Sequence, residues 1–146
     1  MMHHHLILRV VAKLLIPPIL LFALYVQFHG DYGPGGGFQA GVIFGAGFIL
    51  YGLIFGIENA QRLMPQWLIV AVASCGVLLY MAVGVASMIA GGTFLDYSVL
   101  ATNPQAGQHI GILIIELGVG ITVTAVMIAC YLFFAARTRH LPDEEW

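Results

Sequence analysis

One glutamate lies inside an otherwise apolar stretch in the last third of the chain. Glu116 stands in "GILIIELGVGITV", six residues after Ile110, where the apolar run begins. If the run is a membrane helix, this carboxyl group lies about 9 Å below its outer end at 1.5 Å per residue. A charge at that depth costs about 2 kcal/mol or more, so it needs a partner, water or a proton. Glu116 is therefore a candidate for ion or proton exchange, with a bond that fixes helix assembly as the alternative.

Further polar residues share a face with this glutamate. His109 precedes it by seven residues, close to two helical turns, and Gly120 and Thr124 follow at intervals of four. This spacing predicts a polar track with His109 at the mouth, Glu116 within and Thr124 deeper. Threonine also commonly bonds the backbone of its own helix, so the hydroxyl alone indicates little.

A glycine-rich segment, "FHGDYGPGGGFQAG", interrupts the apolar sequence earlier in the chain. It lacks the G-x-G-x-x-G fingerprint after a strand and the lysine of a P-loop, so it is not a phosphate cradle. His29 and Asp31 supply two potential ligands, whereas structural zinc requires four. Pro34 and the three glycines after it favour a tight turn between two helices. We expect no metal, no cofactor and no nucleic-acid partner.

The composition places the whole chain in a membrane. Of its 146 residues, 60% are hydrophobic and 8% are charged, against about a quarter charged in soluble domains. Four apolar runs have the length of membrane spans, at about 6–28, 38–57, 67–90 and 110–136. We therefore predict an all-α integral membrane protein with four transmembrane helices, and a single membrane domain over residues 1–146.

The five basic residues predict the orientation of these spans. They lie near the N-terminus, between spans two and three, and after span four: Arg9, Lys13, Arg62, Arg137 and Arg139. Because cytoplasmic loops carry the excess of Lys and Arg, both termini are predicted to be cytoplasmic. The glycine-rich turn and the loop over residues 91–108 would then face outward.

A stripe of glycines follows the turn along the second span. Gly41 and Gly45 have G-x-x-x-G spacing, and Gly52 and Gly56 repeat it two turns later. Such stripes let another helix approach closely. Because four thin helices enclose little volume, we expect much of the remaining surface to meet other subunits.

The segment from Gly30 to Gly41, G-D-Y-G-P-G-G-G-F-Q-A-G, resembles the signature of the B subunit of Mrp-type (Mnh or Pha) multisubunit cation/proton antiporters. That family reads G-H-x-x-P-G-G-G-F followed by small residues. The resemblance extends over nearly the whole chain and includes the acid before Gly-Val in the last helix, here Glu116-Leu117-Gly118-Val119. The motif residues of the family correspond to Pro34, Gly35, Gly36, Gly37 and Phe38. One position departs, because Asp31 stands where the family commonly has histidine, and a histidine, His29, lies two positions earlier.

The resemblance implies a small subunit of a large complex in the bacterial inner membrane, related to the membrane arm of respiratory complex I. Such a complex exchanges internal Na⁺ or K⁺ for external H⁺, and this subunit would have no enzymatic activity of its own. Its partners would be the other subunits and membrane lipid. Glu116 would be the exchangeable carboxylate, with His29, Asp31 and His109 at the outer mouth and residues 34–38 positioning them. A purely structural assembly subunit and the equivalent module of a complex-I-like hydrogenase or respiratory complex are the alternatives.

Overall fold

The computed structural model describes residues 2–30 and 33–138, and the side chains of 6–30 and 33–136. Every regular element in these residues is helical. The elements are α1 (Met2–Phe28), α2 (Gly37–Phe55), α3 (Ile57–Leu63), α4 (Gln66–Ile89), a 3₁₀ helix (Tyr97–Leu100) and α5 (Pro104–Thr138).

Four of the helices are long and apolar enough to cross a membrane. The qualifying segments are Leu6–Phe28, Gly37–Phe55, Gln66–Ile89 and Pro104–Ala136. The prediction of an all-α chain with four long apolar spans is confirmed.

The helix boundaries differ from the predicted ones where local capping chemistry decides them. α5 begins at Pro104, six residues before Ile110. The side chain of Asn103 accepts a hydrogen bond from the backbone N–H of Gln105 at 3.0 Å, as an N-cap does, and proline suits the first helical position. The additional short helix α3 has Glu58 in its first turn and Arg62 in its last, an arrangement that complements the helix dipole.

Gly56, the last glycine of the predicted stripe, ends α2. It has a φ of 95°, and a Cβ atom built on it would meet no atom of this chain's described residues within 4 Å. A positive φ suits glycine and stops the helix, so this residue separates α2 from α3.

Helix α5 is the centre of the arrangement, because it contacts each of the other helices. Its buried residues Ala125, Ile128 and Leu132 form a small core with Ala60 of α3 and Ile69 of α4. The outer faces are apolar and open. In an apolar 18-residue stretch of each span, at most 28% of the residues are buried inside the chain, and in the first span this share is 11%.

Candidate functional site

The structure brings the glycine-rich turn directly against Glu116. A Cβ atom built on Gly30 would lie 2.6 Å from Oε2 of Glu116, and one built on Gly36 would lie 2.7 Å from Oε1. A Cβ atom on Gly37 would overlap the backbone carbonyl of Glu116. The carboxyl group therefore lies between two glycines of the turn, at a distance that only a residue without a side chain permits.

The same contact places the carboxyl group beside the first turn of α2. Gly37 begins this helix, and Gly36 caps it without a side chain that could bond its amides. The first amide N–H groups of a helix have no acceptor within the helix. Because Oε1 of Glu116 lies against Gly36, the carboxyl group is close to the start of α2.

The backbone of the turn has one conformation that requires glycine. Gly35 has a φ of 147°, and a Cβ atom there would lie 2.9 Å from Cγ1 of Val26 in α1. Pro34 and Phe38, on either side of the three glycines, have exposed side chains. The glycines thus provide the close approach between α1, α2 and α5, while Pro34 and Phe38 point away from that contact.

The structure describes two of the three predicted mouth residues, His29 and His109. The ring of His29 is exposed and stacks on Tyr25 with 4.9 Å between the ring centroids. His29 directly precedes Gly30, the glycine that lies against the Glu116 carboxyl group. His109 is exposed on α5, about 10.5 Å along the helix axis from Glu116 at 1.5 Å per residue. Asp31 lies outside the described residues.

The 3₁₀ helix holds the outer end of α5. A Cβ atom on Gly107 would overlap the carbonyl of Tyr97, and one on Gly111 would overlap the Tyr97 ring. Desolvation by burial, with a contribution from Tyr80, raises the pKa of the Tyr97 phenol above its usual 10, so it stays neutral at neutral pH. These two contacts lie on α5 two residues before and two residues after His109.

Thr124 joins α5 to α2. Its hydroxyl lies 2.8 Å from the carbonyl oxygen of Gly120 in its own helix and 3.1 Å from that of Gly41 in α2, and its single proton is shared between these two acceptors. The predicted glycine stripe of α2 packs on the same side of α5 as this hydrogen bond. Cβ atoms on Gly41, Gly45 and Gly52 would lie within 3.0 Å of Gly120, Met127 and Tyr131 respectively, all in α5.

A glutamine that the sequence analysis missed is buried at the same crossing. Gln27 is 7% exposed, and its Oε1 would lie 2.6 Å from a Cβ atom on Gly120, one turn beyond Glu116. Its Nε2 has no hydrogen-bond partner among the described residues. The sequence does contain a signal, because Gln27 is an uncharged polar residue at the end of an apolar run, just before the turn.

Comparisons with known proteins assign this chain to a family. A family described as "Domain related to MnhB subunit of Na+/H+ antiporter" matches residues 7–129. Similar proteins include those named "Putative antiporter subunit mnhB2" in the Newman and JH1 strains of Staphylococcus aureus. Each is 34% identical over 136 residues, which is 90% of this chain and 95% of the relative. The chain belongs to the family of domains related to the MnhB subunit of Na⁺/H⁺ antiporters.

Proposed function

We propose that this chain contributes an exchangeable carboxylate, Glu116, to the ion or proton pathway of its antiporter complex. As a member of the family, it is a multi-pass bacterial membrane protein and a subunit of a multisubunit cation/proton antiporter. The exchanged cation in our proposal is Na⁺ or K⁺, and the subunit acts in transport without a cofactor or an enzymatic step of its own.

The contact between the turn and Glu116 supports the proposal most strongly. Three glycines that are distant in sequence from Glu116 surround its carboxyl group and backbone: Gly30, Gly36 and Gly37. Acidic side chains within membrane spans are costly and usually serve ion or proton movement. The glycines let the backbone of the turn approach the Glu116 carboxyl group closely, which keeps the carboxyl oxygens near polar backbone atoms of the turn.

The remaining predicted residues have supporting roles in this proposal. His29, His109 and Asp31 guide ions or protons at the outer mouth, and residues 34–38 shape the turn that positions them. Thr124 continues the polar track inward. His29 and His109 are both exposed; His29 directly follows α1 at the start of the turn, and His109 lies on α5.

The proposed orientation follows the basic residues. Arg9 and Lys13 lie in the N-terminal part of α1, Arg62 lies in α3 between spans two and three, and Arg137 and Arg139 follow span four. We therefore place both termini and α3 in the cytoplasm. The turn between α1 and α2 and the 3₁₀ helix then face outward. Protons would reach Glu116 from the outer side.

A second candidate function, assembly alone, has one observation in its favour. The outer faces of all four spans are apolar and open, with Trp67 70% exposed and Ile89 83% exposed. Docking of other subunits on these faces needs no titratable group. In that case Glu116 would stabilise the turn and take no part in exchange.

Substitution of Glu116 separates the two functions. We expect complexes with Glu116→Gln to assemble at the wild-type level and to lose antiport activity in membrane vesicles by about a hundredfold or more, because a proton-exchanging group is removed. Glu58→Gln is the matched control, since Glu58 is exposed on α3. Wild-type antiport by Glu116→Gln would exclude the pathway role, and loss of the complex from the membrane would favour assembly.

A further inference from the structure

The buried side-chain amide of Gln27 differs in its hydrogen bonding from the other buried polar side chain, Ser87. Gln27 and Ser87 are the buried polar side chains of the described residues. The hydroxyl of Ser87 donates to the carbonyl of Val83 at 3.0 Å. The Nε2 atom of Gln27 has no acceptor among the described residues. Buried polar groups are almost always bonded to protein or to ordered water, so this donor requires an acceptor.

The surroundings of Gln27 are backbone rather than side chain. Its Oε1 faces the Cα of Gly120, and the carbonyl oxygen of Gly37 would lie 3.1 Å from a Cβ atom at the same residue. Gly41 packs on the carbonyl of Gly120 from the other side, with a built Cβ 2.6 Å away. Three glycines therefore meet where α1, α2 and α5 cross. Their backbone carbonyls give this crossing a polar lining inside an apolar protein.

The crossing also lies between the two polar residues that the sequence predicted as one track. Glu116 is one turn before Gly120 on α5, and Thr124 is one turn after it. The Gln27 amide reaches α5 at Gly120, between them. A donor at this position, without a protein acceptor, is suited to a water molecule, which accepts one bond and can donate two others.

We propose that Nε2 of Gln27 binds a buried water molecule at the crossing of α1, α2 and α5, one helical turn inward from Glu116. This water and the Gln27 amide form the inner continuation of the polar track, between Glu116 and Thr124. The inference rests on the proposed function in one respect, since it assigns the water a role in exchange at Glu116.

A structure of the assembled wild-type complex, at a resolution that shows ordered water, tests the site itself. We expect density for a water molecule at about 2.7–3.2 Å from Nε2 of Gln27. Absence of that density, or a direct bond from Nε2 to a protein group of this chain or of another subunit, would overturn the proposal.

Antiport kinetics test the role of the water. Gln27→Leu replaces the amide side chain with an apolar side chain of similar size. We expect an assembled complex whose maximal antiport rate is lower by about fivefold, the effect of one hydrogen bond, with an unchanged KM for the cation. Gln61→Leu is the matched control, because Gln61 is exposed on α3. A wild-type maximal rate for Gln27→Leu would overturn the role.

The two proposals fail in different ways. If Glu116→Gln is inactive and Gln27→Leu is fully active, the water is not part of the track and the pathway role of Glu116 stands. If Glu116→Gln is fully active, the proposed function fails, whereas the water density of the wild-type complex still decides the binding site. Should Gln27→Leu not assemble, that density decides the inference.

Discussion

Helix α5 has two closely packed faces, and only one of them has the features of a functional site. Toward α2, it presents Glu116 and Thr124 to the glycine turn and the glycine stripe. Toward α4, Gly118 and Gly76 approach so closely that a Cβ atom on Gly118 would lie 2.9 Å from the carbonyl of Gly76. The hydroxyl of Thr122 on this second face donates to Gly118 of its own helix at 2.8 Å.

The difference shows that close glycine packing does not by itself mark a site. Both faces bring backbone against backbone. On the α4 face the Thr122 hydroxyl is bonded within its own helix, whereas the α2 face holds a carboxyl group, a buried amide and a hydroxyl that bonds across helices. The following predictions test whether this contrast between the α2 face and the α4 face has functional meaning.

The largest effect is expected from a side chain at the closest backbone contact. Gly37→Ala would place a Cβ atom on the carbonyl of Glu116, where neither backbone can move without separating α2 from α5. We expect the assembled complex to fall below detection in membranes, as measured by native electrophoresis and immunoblotting. In Gly47→Ala, on the same helix, the new Cβ would lie closest to side-chain atoms rather than backbone, with Cδ2 of Leu20 at 3.1 Å and Cγ2 of Ile19 at 3.4 Å. Equal loss with both variants would contradict the special role of Gly37.

A smaller effect is expected where the new atom meets the carboxyl group rather than the backbone. Gly36→Ala would place a Cβ atom 2.7 Å from Oε1 of Glu116, so the side chain must shift. Because misplacement by about 1 Å can reduce a rate a hundredfold, we expect antiport to fall by about tenfold to a hundredfold in an assembled complex. A normal rate at a normal complex level would show that the position of the carboxyl group is unimportant.

The smallest effects are expected when the hydroxyl groups of Thr124 and Thr122, one on each face of α5, are removed. Thr124→Val removes a bond between α5 and α2, and hydrogen bonds between membrane helices contribute about 0.6 kcal/mol on average. Thr122→Val removes only a bond within α5. We expect a measurable decrease in the thermal stability of the complex for Thr124→Val and a smaller one for Thr122→Val. The reverse order would contradict the assignment of the interhelical bond.

The fold was largely predictable because its dominant signal is apolar run length. Four spans follow from hydropathy, but their ends depend on local chemistry. The Asn103-Pro104 pair starts α5 earlier than the apolar pattern does, and the positive φ of Gly56 ends α2. The short helix α3 is too polar for a hydropathy signal. Glu58 and Arg62 can be interpreted as charges at its two ends only after a helix has been assumed for these residues.

The site was predictable in parts, and its geometry was not. Glu116 stands out by its depth in an apolar run, and the glycine turn stands out by composition. Their contact joins residues about eighty positions apart, and no spacing rule within one helix reports such a contact. Gln27 was missed because one glutamine at a helix end is unremarkable until packing buries it. Gln27 is buried where α1, α2 and α5 cross, and the sequence does not show that crossing.

The exchange role of Glu116 can be measured as the antiport rate per assembled complex, in vesicles, for Glu116→Gln beside Thr122→Val. These variants remove one polar group from the α2 face and one from the α4 face. We expect a loss of about a hundredfold or more for Glu116→Gln and a rate close to wild type for Thr122→Val. A wild-type rate for Glu116→Gln in a fully assembled complex would contradict this role.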